Sequence, residues 1–407
     1  MLPGPGTRRR FLQAAVAAPL AGVVSRGQPA RRHVLVVGAG AFGGWTALYL
    51  LRRGARVTLV DAWGPGNSRA SSGGETRIIR AIYGPDRPYV TLVARALQLW
   101  PEHQTRWNRP LMHRIGVLWM AGQDDSYERA SIPLLESASL EIEQLMPAAL
   151  ARRYPQIDFS NVRWGLFEPA AGYLMARLAC QAVLDAFIAE GGEYRQAFVT
   201  LDHAAGEVRS VRSRDGERLT ADRFVLAAGP WLRTLLPEVF GQLIQPTRQE
   251  IFFFGTPAGD TRFEDGALPC WIDNGPRLFY GIPGNRWRGF KLADDARGPA
   301  FDPTDGDRQP STAGIAAARR YMESRFPAMK GAPLLEARVC QYENSLDGHY
   351  IIDRIPSLQN AWAVGGGSGH GFKVGPALGE LTAGLVLDDR RADPLFRFDR
   401  FGAKKPG

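Results

Sequence analysis

Only five of the chain's 50 basic residues are lysines, and two of those sit inside apolar or glycine-rich stretches. Lys291 lies in Gly289-Phe290-Lys291-Leu292, and Lys373 lies in His370-Gly371-Phe372-Lys373. Lysine is a compact point charge whose pKa moves on burial, whereas arginine stays charged. In a chain that otherwise uses arginine, these two are candidates for chemistry, with solvated surface positions as the competing reading. Arg77 and Arg80 stand three apart in Thr76-Arg77-Ile78-Ile79-Arg80. On a helix they would share one side. Two cations beside a pocket would hold a carboxylate or an anionic ring; ordinary phosphate or surface pairing is the alternative.

A third set is Gly38, Gly40 and Gly43, spaced G-x-G-x-x-G, with Asp61 further on. The elements that must position them are legible. The apolar run 34–37 is a buried strand, a helix follows to a stop at Gly54, and 57–60 is a second strand ending in Asp61. One glycine makes the tight turn, one lets the backbone approach a pyrophosphate, and one lets helix and strand pack closely. An acid at the end of the second strand accepts hydrogen bonds from an adenosine ribose. The glycines alone are weak evidence; strand, glycines, helix, strand and acid in register are strong evidence.

Composition sets the frame. The 407 residues, 45% apolar, can bury a sizeable core and suggest two domains or one large elaborated one. The net charge is +9, but Arg8, Arg9, Arg10, Arg26, Arg31 and Arg32 supply six of it, leaving +3 (9 − 6) for the rest. That balance, without basic stripes interleaved with aromatics, argues against nucleic acid as a partner. Thr7-Arg8-Arg9-Arg10-Phe11-Leu12-Gln13 matches the twin-arginine export pattern, which carries folded proteins. The modestly apolar run behind it, 11–24, is too short for a spanning helix, and no stable membrane span is expected. An arginine-rich mitochondrial transit peptide is the rival. Export predicts a periplasmic protein with the export machinery as a transient partner.

Three cysteines, Cys180, Cys270 and Cys340, form no disulfide framework, and whether Cys180 and Cys270 pair is open. The six histidines show no zinc spacing, so no metal is expected. Ser368 misses the nucleophile-elbow pattern by one residue.

Further along, 89–107 reads as a helix with Val90, Val93, Ala94, Leu97 and Trp100 near one face. A second amphipathic helix is expected over 174–189, and Asp215-Gly216 signals a hairpin. Phe224 to Leu226 runs as a strand into Ala227-Ala228-Gly229-Pro230-Trp231. Residues 247–292 suggest an antiparallel sheet. A last strand, 361–364, ends in Gly365-Gly366-Gly367-Ser368-Gly369-His370-Gly371, and a helix over 377–387 closes the pattern. Nucleotide-binding elements thus recur at the start, middle and end, with a different fold between them.

These motifs, taken in order, resemble a known family. The glycine fingerprint, S-S-G-G-E-T-R-I-I-R, A-A-G-P-W, G-F-K-L, C-Q-Y-E-N, H-Y-I-I-D and G-S-G-H-G-F-K occur as in sarcosine oxidase and N-methyltryptophan oxidase. These are FAD-dependent amine oxidases of the D-amino-acid oxidase superfamily, and the resemblance runs from about residue 34 to about 387. It implies an α/β chain: a Rossmann-type FAD-binding domain (33–113, 172–230 and 347–400) interleaved with an antiparallel-sheet α+β substrate domain (114–171 and 231–346), after a leader of 1–32.

The resemblance also assigns residues. Cys340 resembles the cysteine bonded to the flavin 8α carbon; a buried small hydrophobe is the plain alternative. Lys291 resembles the lysine beside flavin N5 that activates oxygen. Arg80 and Lys373 resemble the pair that clamps the substrate carboxylate, and Arg77 resembles the arginine that lies against the flavin. Tyr280 and Tyr342 would line the pocket, with His370 and Gly369 near flavin and substrate. Cofactor contacts are expected from Gly38, Gly40, Ala41, Phe42, Gly43, Asp61, Ala62, Thr76 and Arg77, then Ala228, Gly229 and Cys340, and last Gly367, Gly369, His370, Gly371 and Lys373. In one departure, Asp295 takes the place of a family histidine that faces substrate. It would favour a cationic amine or pair with Lys291 at i,i+4. Trp271 falls where the family has a smaller pocket residue, so a substrate shaped differently from sarcosine is expected.

The resulting expectation is an FAD-dependent oxidase of an amine or amino-acid substrate that uses oxygen and yields hydrogen peroxide. A dehydrogenase passing electrons to an envelope carrier and a non-catalytic flavin-binding maturation partner are the alternatives, with an NAD(P)-dependent sugar oxidoreductase a weaker one.

Overall fold

Strands buried on both faces must be apolar throughout, and three such runs lie side by side in the centre of the chain's first sheet. The computed structural model describes Met1, residues 31–285 and residues 288–402. The export signature at 7–13 and the apolar run behind it lie outside the described residues. From Arg32 onward the chain forms one compact unit. Its six-stranded sheet is ordered Ile351–Arg354, Ala361–Gly365, Arg223–Leu226, His33–Val37, Arg56–Asp61, Glu193–Gln196. All pairs are parallel except the outermost Ile351–Arg354 with Ala361–Gly365. Val34, Leu35, Val36, Phe224, Val225 and Leu226 are fully buried.

Helix Ala41–Arg52 follows the first strand and packs against helix Gly375–Asp388. Gly38 turns the chain between strand and helix at φ +107°, a left-handed conformation that side chains resist. A Cβ on Gly43 would lie 1.9 Å from the Gly38 carbonyl oxygen, so only glycine permits this strand–helix contact.

A second sheet of eight strands is ordered Leu334–Ser345, Ile244–Phe254, Phe290–Asp294, Leu278–Ile282, Cys270–Asn274, Val117–Ala121, Trp164–Glu168, Glu143–Leu145. It is antiparallel apart from the parallel pair Cys270–Asn274 and Val117–Ala121, a departure from the purely antiparallel expectation. Helix Thr312–Arg325 covers one face through Ala318 and Met322, with Leu118, Phe252, Trp271 and Leu292 in the same core. The other face is left for the site.

Several local expectations need correction. Thr76–Ile79 is a strand paired with Gly172–Met175, so Arg77 and Arg80 do not share a helix face. The β-branched Thr76, Ile78 and Ile79 fit a strand better than a helix. The helix expected from 174 begins at Ala176, because Leu174 and Met175 belong to that strand pair. The helix expected over 89–107 runs Arg87–Trp107, with Ala94 only half-buried and Ala96 inside. Trp271 is fully buried between Phe290, Tyr321 and Phe326 and lines neither of the cavities described below. Cys180 and Cys270 are separate buried free thiols.

Among the described residues no helix is long and apolar enough to cross a membrane, and no three His, Cys, Asp or Glu side chains are grouped to hold a metal.

Replacing Gly43 with Ala should destabilise the protein by about 1–3 kcal/mol, the usual cost of overpacking, because backbone lies in the way. Gly266→Ala, with nothing within 4 Å of the new methyl, should stay within about 0.5 kcal/mol of the parent. Urea midpoints of the two variants check this.

Candidate active site

A cavity of about 410 Å³ runs from the glycine turn along the C-terminal edge of the parallel strands. Gly38, Gly40, Ala41 and Phe42 line it at the N-terminus of the first helix, where free backbone N–H groups favour phosphate. Asp61 and Ala62 line it at the end of the second strand. The Asp61 carboxylate accepts from Ala39 N at 2.7 Å, Trp63 N at 2.9 Å and Gly64 N at 2.7 Å, which fixes the loop around it. Ala228 and Gly229 come from the loop after Arg223–Leu226, and Gly367, Gly369 and Gly371 from the loop after Ala361–Gly365.

A smaller cavity of about 90 Å³ adjoins it, and Arg77, Tyr342, Gly369 and Phe372 line both. The free face of the eight-stranded sheet roofs this second space. Side chains alternate along a strand, so residues two apart share a face. Cys340 and Tyr342 share one strand's face; Tyr280 lies on another. Lys291 and Ala293 face the same way, with Asp295 just past that strand's end. Cross-strand register aligns Trp119 with Ile272, Ile272 with Tyr280, Tyr280 with Ala293 and Ala293 with Ile251 in one row. Arg80, His370 and Lys373 close the space from the opposite side.

Burial shapes every charge here. Arg80 donates to the Ile82 carbonyl and lies between aromatic faces, 4.3 Å from the Tyr83 ring centre and 4.9 Å from that of Trp119. Lys373 donates from Nζ to the Tyr83 oxygen at 2.9 Å and the His370 carbonyl at 2.8 Å. Desolvation, then Arg80, holds its ammonium well below the usual lysine range. His370 is likewise pushed well below its usual value by desolvation and then Lys373. Its Nε2 lies 3.1 Å from the Gly348 carbonyl and its Nδ1 lies 3.0 Å from the Tyr350 hydroxyl. A neutral ring with both nitrogens engaged is held in place and is no free base.

Asp295 is raised by burial despite accepting from the Tyr342 hydroxyl at 2.8 Å. Tyr342 is also hydrogen-bonded to Tyr280, which burial pushes up to about 12. Asp295 therefore belongs to a tyrosine chain and not to an i,i+4 pair with Lys291. Glu168 lies behind Arg80, with one oxygen accepting from Ala81 N at 2.6 Å and the other buried without a hydrogen-bond partner. Desolvation raises it to about 7.

The expected residues thus divide. Twelve of the expected cofactor residues line the long cavity, from the fingerprint, Asp61, Ala62, Arg77, Ala228 and the later glycines, but Gly43 only packs behind it. Cys340, His370 and Lys373 line the smaller cavity instead. Cys340 is half-buried with its sulfur 3.9 Å from an Arg77 guanidinium nitrogen. Thr76 and Lys291 line neither: Lys291 Nζ donates 2.7 Å to the Thr76 carbonyl, just behind the junction. Desolvation, helped by Arg77, lowers Lys291 to about 7. Sequence reasoning missed Glu343, Trp63, Ser71 and Trp119. Glu343 stands next to Tyr342, which was the only available signal. Trp119 carried none, since its strand joins the site only through sheet pairing.

The long cavity fits FAD. Its glycine turn admits a phosphate at a helix N-terminus. Ser71 lines the cavity, its Oγ buried with no hydrogen-bond partner in the protein, and Asp61 lines it at the end of the second strand, where an acid can meet a ribose. Residues 33–385 match the family described as FAD dependent oxidoreductase. N-methyl-L-tryptophan oxidase of Salmonella arizonae is 31% identical over 379 residues, spanning 90% of this chain and 98% of that protein. In three dimensions the chain is similar to L-proline dehydrogenase from P. horikoshii, with a TM-score of 0.77 at 20% identity, covering 90% of this chain and 96% of that one. It is also similar to fructosyl amine:oxygen oxidoreductase (amadoriase I) from Aspergillus fumigatus, with a TM-score of 0.74 at 22% identity, covering 90% and 89%.

Glu343 gives a pH test. It lines the long cavity, accepts from Gly367 N at 2.8 Å and is raised from 4.5 to about 7 by desolvation. The folded chain therefore holds this proton where the unfolded chain has lost it, so stability falls as pH rises through that window. Glu343→Gln removes this titration. From about pH 5 to about pH 7 the parent should lose about 1 kcal/mol or more relative to the variant, read from urea unfolding at both values.

Proposed function

We propose that this chain, which belongs to the family of FAD dependent oxidoreductases, oxidises the C–N bond of a secondary amine or amino acid with oxygen as acceptor. The observation that carries the reading is the junction of the cavities. A dinucleotide-sized channel opens at Arg77, Tyr342, Gly369 and Phe372 onto a small chamber lined by the cations Arg77, Arg80 and Lys373 and the acids Glu250, Asp294 and Asp295. Opposed charges of this kind suit an amino acid.

In this reading Arg80 and Lys373 hold the substrate carboxylate. Both are kept in place by carbonyls and aromatic rings and have no salt-bridge partner among the described residues; Arg80 stays charged, and an arriving carboxylate would favour the protonated form of Lys373, which burial otherwise disfavours. His370 and Tyr83 fix the position of Lys373. Asp295 lines the same chamber and would meet the amine there, and a carboxylate raised by burial is a better proton acceptor from it. When bound, FAD supplies the two-electron acceptor for the amine and passes the pair to oxygen. The substrate loses two electrons and two protons; water then splits the imine into carbonyl compound and amine, and oxygen leaves as hydrogen peroxide. Lys291, behind the junction, supplies a cation for charge developing on oxygen. Cys340, half-buried beside Arg77, supports a covalent flavin link. The arginine pair at 8–9 supports export to the periplasm by the twin-arginine route.

The test is anaerobic mixing of the purified protein with N-methyl amino acids, then admission of oxygen with peroxide assayed per turnover. Flavin bleaching followed by one peroxide per substrate is expected. Bleaching without peroxide would move the protein to the dehydrogenases, and no bleaching by any amine would leave a flavin-binding scaffold. Acid precipitation should give a yellow pellet, and Cys340→Ser a colourless one.

Lys291→Met should slow the oxygen half-reaction about 100-fold or more while substrate reduction stays within about 3-fold, the scale for losing one fixed charge-stabilising donor. Stopped-flow traces with equal losses in both halves would remove this role.

A further inference from the structure

The smaller cavity is walled on one side by a tryptophan that cannot easily move. Trp119 is 2% exposed and lines the cavity beside Arg80. Its indole N–H donates to Glu128 Oε1, and the Asn274 amide donates to the same oxygen at 2.6 Å. Glu128 is fully buried, so swinging Trp119 away would strip a donor from a carboxylate that water does not reach. Tyr127 stacks on the indole at 5.7 Å and 22°, and the Arg80 guanidinium lies 4.9 Å from its ring centre. Ile272, its neighbour across the sheet, lines the same space.

The chamber so bounded measures about 90 Å³. An engineered cavity of about 150 Å³ is what one benzene ring occupies. Part of the smaller space must already take the carboxylate and amine between Arg80, Lys373 and Asp295.

We propose that Trp119 sets the upper size of the substrate side chain, and that this site takes amino acids with short alkyl side chains while rejecting those bearing an indole. Glu128 acts as its positioning residue. The inference rests on the amino-acid-oxidising reading above and separates this chain in specificity from the relative named for N-methyl-L-tryptophan.

The test compares kcat/KM of the holoenzyme for N-methylalanine and N-methyltryptophan. The parent should favour N-methylalanine by about 100-fold or more, the scale at which a pocket rejects excess bulk. Trp119→Ala should cut that ratio at least about 10-fold through a lower KM for N-methyltryptophan, and Trp119→Leu should do so in part. Loss of the stack on Arg80 weakens both substrates alike and cancels in the ratio. Equal use of both substrates by the parent, or an unchanged ratio in a folded variant, would overturn the proposal. If neither variant folds, the parent ratio decides alone. A parallel titration of the bound flavin's visible spectrum with acetate and with indole-3-acetate needs no turnover. Tighter acetate binding in the parent, reversed in Trp119→Ala, supports the wall even if no amine reduces the protein, whereas equal binding of both carboxylates removes it.

Discussion

Desolvation of charge governs this molecule's centre. Lys373 and Lys291 are withdrawn from water and Arg80 is half-buried, and among the described residues none of them forms a salt bridge. Each instead donates to a carbonyl oxygen (Arg80 to Ile82, Lys373 to His370, Lys291 to Thr76), and Arg80 and Lys373 also lie over aromatic faces. Burying a lone cation is costly unless such donors are fully used. The acids Glu168 and Asp295 stand at one remove and moderate the field without neutralising it.

Two periodicities deliver those groups. The parallel sheet presents its strand ends and glycine turns to a long channel, and close approach at Gly43 lets the first helix aim its N-terminus there. The eight-stranded sheet presents every second residue on one face, which is why Tyr280, Cys340, Tyr342 and Trp119 gather at the chamber from distant parts of the chain, with Lys291 on the same face just behind the junction. The opposite face, with Trp271 and Phe290, is ordinary core. A shift of one residue in any of these strands would exchange chemistry for packing.

The fold is shared by a dehydrogenase and an oxidase, so the architecture by itself leaves the acceptor open. What individualises the chain lies in the walls of its smaller cavity. Asp295 accepts there from Tyr342, which is hydrogen-bonded to Tyr280, and Trp119 is held by Glu128, which also accepts from Asn274.

By itself the sequence determined the glycine turn, its strand and helix, and Asp61, because these are local and each residue type answers a backbone or ligand constraint within thirty positions. It also marked Lys291, Lys373, Arg77, Arg80 and Cys340, since rare residue types in ordered motifs survive without knowledge of pairing. Tertiary structure alone decided the rest. It turned residues 76–79 into a strand where a helix had been expected, and it put Trp271 in the core and Trp119 at the site. It tied Asp295 to Tyr342 and not to Lys291. Those outcomes depend on which strand lies beside which and which face is covered, and such non-local packing overrides spacing along the chain.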